Sequence, residues 1–270
     1  MNLLVAFSMA WGNAAARPEL IAHRGESHDA PENTLAAFRL AWDRNVPAIE
    51  LDVHLTRDGR LVCLHDADTK RIAGVSRVVQ DTALAELRTL DVGSWKDPRW
   101  KGERIPTLEE VLATIPDAGR CLIEVKVGPE AVPALSRAIR DAGKRPAQLA
   151  IISFNAETLV EVRRQLPELE TYLVASFRRD QARGAWQPTI EALIQQAQSL
   201  GVRGLNLAHA GPLDRDAVQR IQAAGLKLFA WTIDDVRRAQ ALADWGADGI
   251  TSNRAAFLRQ HLFPADREAE

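Results

Sequence analysis

From residue 19 onward the chain alternates short apolar runs of strand length with segments whose apolar residues recur at helical spacing. ELIAHR at 19–24 precedes PENTLAAFRLAWDRN, in which Leu35, Phe38 and Trp42 share one helical face and Asn33 is placed to cap it. AIELDV at 48–53 leads, after a polar stretch, to TLEEVLATI, where Thr107 and Glu110 have capping-box spacing. The same alternation continues through CLIEVKV and AVPALSRAIRDAG, LAIISF and AETLVEVRRQL, and TYLVAS and TIEALIQQAQSLG. It ends with GLNLA and LDRDAVQRIQAAG, KLFAWT and DDVRRAQALADWG, and GITS and RAAFLRQHL. Strands that alternate with helices form parallel sheets with right-handed crossovers, and eight such units predict a closed (β/α)8 TIM barrel. An open doubly wound sheet uses the same alternation, but no glycine-rich dinucleotide loop supports it.

One apolar run breaks the pattern. LVCLHD at 61–66 follows AIELDVHLT after only RDG, and no parallel strand returns through so short a link. Asp58-Gly59 is a hairpin signal, so residues 46–56 and 60–65 are predicted to pair antiparallel. A two-residue loop pairs 57 with 60 and sets Asp52 opposite His65, and a bulge would shift that register by one. Residues 66–105 then form an irregular insertion over the C-terminal mouth of the barrel, the whole interruption spanning about 55–105.

The first sixteen residues fall outside this scheme. MNLLVAFSMAWGNAAA has an apolar stretch from Leu3 to Trp11 and small residues at Ala14 to Ala16, which resembles a secretory signal peptide without the usual basic start. The predicted organisation is a signal peptide at 1–16 and one domain at 17–270, with export to a periplasmic or extracellular space; the alternative is a first element packed on a cytoplasmic domain. No other segment approaches the ~18 apolar residues of a membrane span.

Composition narrows the ligand class. The 270 residues are 46% hydrophobic, with 34 Lys and Arg against 36 Asp and Glu, giving a net charge of −2 and no basic stripe. Nucleic acid is therefore a poor partner, and any anion recognised should be small and locally held. The two cysteines, Cys63 and Cys121, have no metal-ligand spacing and sit in apolar runs, which predicts free, buried thiols.

Active sites of such barrels lie at the C-terminal strand ends. Those ends carry His23 and Arg24, then Glu50 and Asp52, then Glu124 and Lys126, and later Ser153-Phe154, Asn206 and Trp231-Thr232. Residues two apart in a strand share a face, so Glu50 points with Asp52, and Glu124 with Lys126. A lone carboxylate near a strand end is usually a solvated loop residue, and His28, His209 and His261 read as structural. The set is different: three carboxylates crowd one mouth only with a cation or raised pKa values. Hard oxygen donors favour Mg²⁺ or Ca²⁺ over Zn²⁺. A cation, His23, His65, Arg24 and Lys126 together suit phosphoryl chemistry, in which positive charge meets the phosphate oxygens. One histidine takes a proton while the other protonates the leaving alkoxide, an acid that a diester with a poor leaving group needs.

The segments AHRG…PENTLAAF, ELDVHLTRDGRLVCLHD, IPTLEEVL and IEVK, in this order, resemble the glycerophosphodiester phosphodiesterases, densely over residues 20–126 and more loosely to 255. The resemblance implies a (β/α)8 barrel that hydrolyses glycerophosphodiesters to glycerol 3-phosphate and an alcohol with a divalent metal. It implies Glu50, Asp52 and Glu124 as metal ligands, His23 and His65 as the catalytic pair, and Arg24 and Lys126 as phosphate contacts. Phe154 and Trp231 join these as substrate contacts. It further implies a glycerol 2-hydroxyl able to attack phosphorus, which makes that step intramolecular and effectively faster. Two departures stand out: WTID puts Asp234 where the family usually has Asn, and TSNR replaces the usual Thr-Asp-x-Pro. Both are expected on the substrate side, and His54, where Gln is usual, on the hairpin surface. Two other readings remain: a related barrel that cyclises lipid phosphodiesters, as phospholipase D toxins and phosphoinositide lyases do, and a phosphodiester-binding barrel without turnover.

Overall fold

The computed structural model describes residues 17–181 and 184–263, so the signal-like segment 1–16 lies outside the described residues. Eight strands close the barrel: β1 (Glu19–His23), β2 (Ala48–Leu55), β4 (Arg120–Val125), β5 (Leu149–Ser153), β6 (Glu170–Ala175), β9 (Gly204–Ala208), β10 (Lys227–Trp231) and β11 (Gly249–Ser252). Each pairs parallel with the next, and β1 pairs with both β2 and β11, which closes the ring. The remaining strands are excursions: β3 (Leu61–Cys63) pairs antiparallel with β2, and β7 (Arg178–Asp180) pairs with β8 (Ala185–Gln187) beyond β6.

Strand parity sorts the side chains. Ile21, Ala48, Leu122, Ala150, Ile152, Tyr172, Val174 and Phe229 form one buried cluster that fills the barrel interior. Alternate residues such as Leu20, Ala22, Ile49 and Leu51 point outward and join the cores beneath the helices. His23, Glu50 and Glu124 lie two residues beyond Ile21, Ala48 and Leu122, and Asp52 two beyond Glu50. They therefore take the interior face above the apolar plug, with Asp52 one step further along β2 than Glu50.

The helices follow the predicted segments: α1 (Leu35–Asp43), α4 (Leu108–Leu112), α5 (Val132–Ala142), α6 (Ala156–Gln165), α7 (Ile190–Leu200), α8 (Arg215–Ala223), α9 (Val236–Trp245) and α10 (Ala255–Leu262), with α2 (Lys70–Ala73) and α3 (Leu84–Leu87) inside the insertion. The capping box at Thr107 forms, with Thr107 N donating to Glu110 Oε2 at 2.9 Å. The cap of α1 is not Asn33. Thr34 Oγ1 accepts from Ala37 N at 3.2 Å, while Asn33 sits in the left-handed region at φ 56° and turns its amide elsewhere. Gly25, at φ 80°, lets the β1 loop lie against α1: a Cβ there would come within 2.5 Å of the Ala37 backbone.

The hairpin forms with its register shifted by one. Thr56 N donates to Arg60 O and Val53 pairs with Cys63, so three residues, Arg57, Asp58 and Gly59, make the turn, with Gly59 at φ 73°. This is the bulged hairpin loop rather than the two-residue one, and it sets Leu64, not His65, across from Asp52, with Leu64 N donating to Asp52 O. The insertion is less irregular than expected. Val62, Leu64, Ile72, Val79, Leu87, Val92 and Ile105 give it a small core of its own. Lys96 Nζ and Arg99 Nη2 donate to the carbonyls of Ser27 and Asp29, tying it over the β1 loop. Cys63 and Cys121 are free and buried, as predicted. No helix among the described residues is long and apolar enough to cross a membrane.

Candidate active site

One pocket at the C-terminal mouth brings together His23, Arg24, Glu50, His65, Glu124 and Lys126, with Ile152, Phe154, Val174 and Trp231 opposite them. Asp52, two residues beyond Glu50 on the same strand, is fully buried beside it. Ligand atoms of Glu50, Asp52 and Glu124 all lie within 4.8 Å of one another. Arg24, at φ 56°, places its N–H 3.0 Å from Glu50 Oε2, its Nε 3.1 Å from Asp52 Oδ2 and its Nη1 2.9 Å from Glu32 Oε1. Lys126 Nζ is 2.7 Å from Glu124 Oε1 and 3.4 Å from Asp52 Oδ1. Arg24 and Lys126, which the resemblance implies as phosphate contacts, brace the carboxylates here.

Two cations against three clustered carboxylates leave a surplus of negative charge. Burial first, then Asp52 and Glu124, push Glu50 well above the usual carboxylate range. Burial and Asp52 likewise raise Glu124. Those shifts come from burying carboxyls beside other carboxylates, and a divalent cation held among the three would lower them. The donor set is all oxygen, which fits Mg²⁺ or Ca²⁺.

The histidines enter from different elements. His23 ends β1, its Nε2 4.0 Å from Glu50 Oε2 and its Nδ1 2.7 Å from Asn253 Oδ1. Burial, then Arg24, lower its pKa to about 4. His65 follows β3, its Nδ1 2.7 Å from Asp66 Oδ1. Arg71 Nε donates to Asp66 Oδ2 at 2.6 Å, and its other nitrogens grip Glu32. Burial works to raise Asp66, but Arg71 and His65 outweigh it and hold the carboxyl at about 2. Arg71 therefore joins the His65 support to the Arg24 support through Glu32.

Phe154, 48% exposed, meets Trp231 edge to face at 6.0 Å, and Lys126 Nζ lies 5.9 Å from its ring centre. Ser153 points away, its Oγ donating to Val125 O. His28 and His261 are exposed, and His209 lies outside this pocket, so the three stay apart from the site.

Sequence reading missed several members. His54 is not a surface residue: it is 7% exposed, with its Nε2 3.1 Å from the His65 carbonyl, because the insertion covers β2. Its parity with Glu50 and Asp52 was the signal for the interior face. Asn33 Nδ2 donates to Asp52 Oδ2 at 2.8 Å while Asp52 N donates back to Asn33 Oδ1, which fixes the Asp52 carboxylate. Asn206 Oδ1 and Thr251 Oγ1, almost fully buried in the pocket wall, meet no partner among the described residues. Asn206 is legible in the sequence as a polar strand end, whereas Thr251 carries no signal beyond its parity. The two family departures, expected on the substrate side, instead meet behind His23: Ser252 Oγ and Asn253 N both donate to Asp234 Oδ1 at 2.8 Å.

Residues 23–256 match the sequence profile of the Glycerophosphoryl diester phosphodiesterase family. A glycerophosphodiester phosphodiesterase of Caldanaerobacter subterraneus subsp. tengcongensis is 34% identical over 238 residues, covering 87% of this chain and 93% of that protein. Among solved structures, an Oleispira antarctica phosphodiesterase in complex with the product sn-glycerol-3-phosphate superposes with a TM-score of 0.82 at 32% identity, covering 90% of this chain and 96% of that one. A glycerophosphodiester phosphodiesterase from Thermotoga maritima gives a TM-score of 0.70 at 25% identity, covering 90% and 98%. The extent of these matches and the charged barrel mouth lead to one conclusion: the chain belongs to the glycerophosphoryl diester phosphodiesterase family and is a phosphoric diester hydrolase.

Proposed function

We propose that the protein hydrolyses small glycerophosphodiesters to glycerol 3-phosphate and an alcohol, using a divalent cation held by Glu50, Asp52 and Glu124 and an acid/base pair of His23 and His65. The carrying observation is the convergence of those three carboxylates and two imidazoles on one pocket. When bound, the cation supplies positive charge against the non-bridging phosphate oxygens. Arg24 and Lys126 add fixed charge from the same wall. His23, neutral and facing Glu50, accepts the proton of the attacking hydroxyl. Attack by water gives glycerol 3-phosphate directly, whereas attack by the substrate's own glycerol 2-hydroxyl gives a cyclic phosphate that a water must then open. As the P–O bond to the alcohol breaks, His65 gives its proton to the departing oxygen. Phe154 and Trp231 cover the carbon skeleton. The glycerol 3-phosphate named in the Oleispira structure is the product this reading expects here.

The test is turnover of glycerophosphocholine with and without chelator. Glycerol 3-phosphate and choline should form in equal amounts, stop with EDTA and return with Mg²⁺ or Ca²⁺. A cyclic phosphate as the final product would favour the cyclising alternative. Turnover indifferent to chelation would remove the metal, and no turnover of any diester would leave a binding barrel.

A further inference from the structure

His23 is backed by a chain of hydrogen bonds that begins at Asn253, 230 positions away in the sequence. Its Nδ1 lies 2.7 Å from Asn253 Oδ1, Asn253 Nδ2 donates to Asp234 Oδ2 at 2.7 Å, and Asp234 Oδ1 accepts from Asn253 N and Ser252 Oγ at 2.8 Å. Ser27 Oγ adds a second bond to Asn253 Oδ1 at 3.1 Å, and His28 N donates to the Asn253 carbonyl.

An asparagine amide alone cannot select a histidine tautomer, because turning it over exchanges its oxygen and nitrogen. Here Asp234 removes that freedom. Both Asp234 oxygens accept here, Oδ1 from Asn253 N and Ser252 Oγ, so the Asn253 NH₂ faces Oδ2 and the Asn253 oxygen faces His23. An amide oxygen also only accepts, so His23 must carry its hydrogen on Nδ1. The lone pair is then left on Nε2, the nitrogen that faces Glu50 and the pocket.

We infer that Asp234 and Asn253 are positioning residues that set the His23 tautomer, so that Nε2 arrives at the substrate ready to accept a proton. The inference rests on His23 acting as the base in the proposed reaction. Neither residue lines the pocket; Asp234 acts through Asn253, and Asn253 through His23. The arrangement differs from a histidine–carboxylate pair in keeping the negative charge one residue away from the imidazole. It also differs from the other histidine of the site, whose Nδ1 meets the Asp66 carboxylate directly.

The experiment uses Asp234→Asn, which keeps shape but lets the Asn253 amide turn, and Asn253→Ala, which removes the acceptor. With ¹⁵N-histidine labelling, the wild-type His23 should show Nδ1 protonated, its signals assigned by their loss in His23→Ala. Both variants should shift towards the Nε2-protonated form. Their kcat on glycerophosphocholine should fall by roughly 10- to 100-fold, as for loss of supporting hydrogen bonds elsewhere, with KM and metal affinity within about twofold. A merely structural contact would lower thermal stability without moving the tautomer. An unchanged Nδ1-protonated signature in both variants overturns the inference whatever the rates, and so does a shifted tautomer with wild-type kcat. Wild-type turnover by His23→Ala is the separate result that would overturn His23 as base.

Discussion

The barrel carries a charged layer at each end, and the two are built on opposite terms. At the N-terminal end Arg120 joins Glu19 at 2.6 Å and Glu170 at 2.7 Å, while Lys227 Nζ at 2.9 Å and Arg203 Nε at 3.4 Å also reach Glu170. The Tyr172 hydroxyl, at the top of the same cluster, donates to Glu170 at 2.7 Å. Three cations against two carboxylates leave no unmet negative charge. Burial works to raise Glu170, but Tyr172 and Lys227 lower it further than burial lifts it. At the mouth the same residue type shifts the other way: Glu50 and Glu124 are raised, burial and neighbouring carboxylates overriding Arg24 and Lys126. A balanced layer closes the barrel floor, and an unbalanced one could hold the cation that the proposed reaction uses. The difference separates charge that serves the fold from charge that serves chemistry.

The strongest way to break this contrast is to remove mouth carboxylates singly. Glu50→Ala, Asp52→Ala and Glu124→Ala should each lose metal-dependent turnover, by more than the roughly 10- to 100-fold cost of losing a supporting partner. Circular dichroism should show the fold retained, since each change relieves like-charge crowding. Calorimetric metal titration decides the matter: unchanged affinity in all three variants would sink the cation assignment. The histidines come next. His23→Ala or His65→Ala should lower kcat by about 10²–10⁴-fold. A diester with a phenol leaving group needs little protonation, so it should rescue the His65 variant and not the His23 variant. Equal rescue, or none, would defeat the division of roles.

Metal and pH test the contrast without mutation. A carboxyl whose folded pKa is raised above its ordinary 4.5 binds more protons in the folded state, so stability from Glu50 is present at low pH and lost as pH rises through its raised value. Bound Mg²⁺ or Ca²⁺ would displace those protons and recover the loss. The rise in Tm on adding the ion should therefore be small near pH 4.5 and grow towards pH 7. A metal-induced shift independent of pH would mean that the three carboxylates are not the binding site. At the floor, Arg120→Met should leave kcat unchanged and cost about 1–2 kcal/mol, a Tm decrease of roughly 2–8 °C, since it strips charged hydrogen bonds from a partly buried cluster.

Much of this was legible in the chain because the relevant signals are local. Strand–helix alternation is written in consecutive residues, and Glu50 with Asp52, or Glu124 with Lys126, need only strand parity to share a face. The hairpin was legible too, but its register turned on whether Arg57 belongs to the arm or the turn, which one left-handed glycine decides. What stayed hidden depends on distant partners. Asn253 meets His23 across 230 positions, Arg120 meets Glu19 across 101, and no spacing rule connects them. Asn33 looked like a helix cap because Thr34, the true cap, stands beside it, and its bond to Asp52 exists only once β2 is in place. His54 was misread because burial by the insertion is a tertiary fact.

Between the paired floor and the crowded mouth stands a third kind of charge. Arg178 and Arg179 lie on β7, in the hairpin that follows β6 on the catalytic side, and both are exposed with no ion-pair partner among the described residues. At the floor, arginine charge is consumed by Glu19 and Glu170; here it is left to solvent, where it either does nothing or draws an anionic substrate towards the mouth. Exposed charge acts over about 10 Å at 0.1 M salt, so the guiding effect should be small and sensitive to ionic strength. Arg178→Ala with Arg179→Ala should raise KM for glycerophosphocholine a few-fold at low salt, leave kcat alone, and converge with wild type as salt rises. A KM indifferent to both the substitutions and the salt would class these arginines as ordinary solvated surface. The steering of substrate would then fall to Arg24 and Lys126, whose charge is already partly spent on the carboxylates beside them.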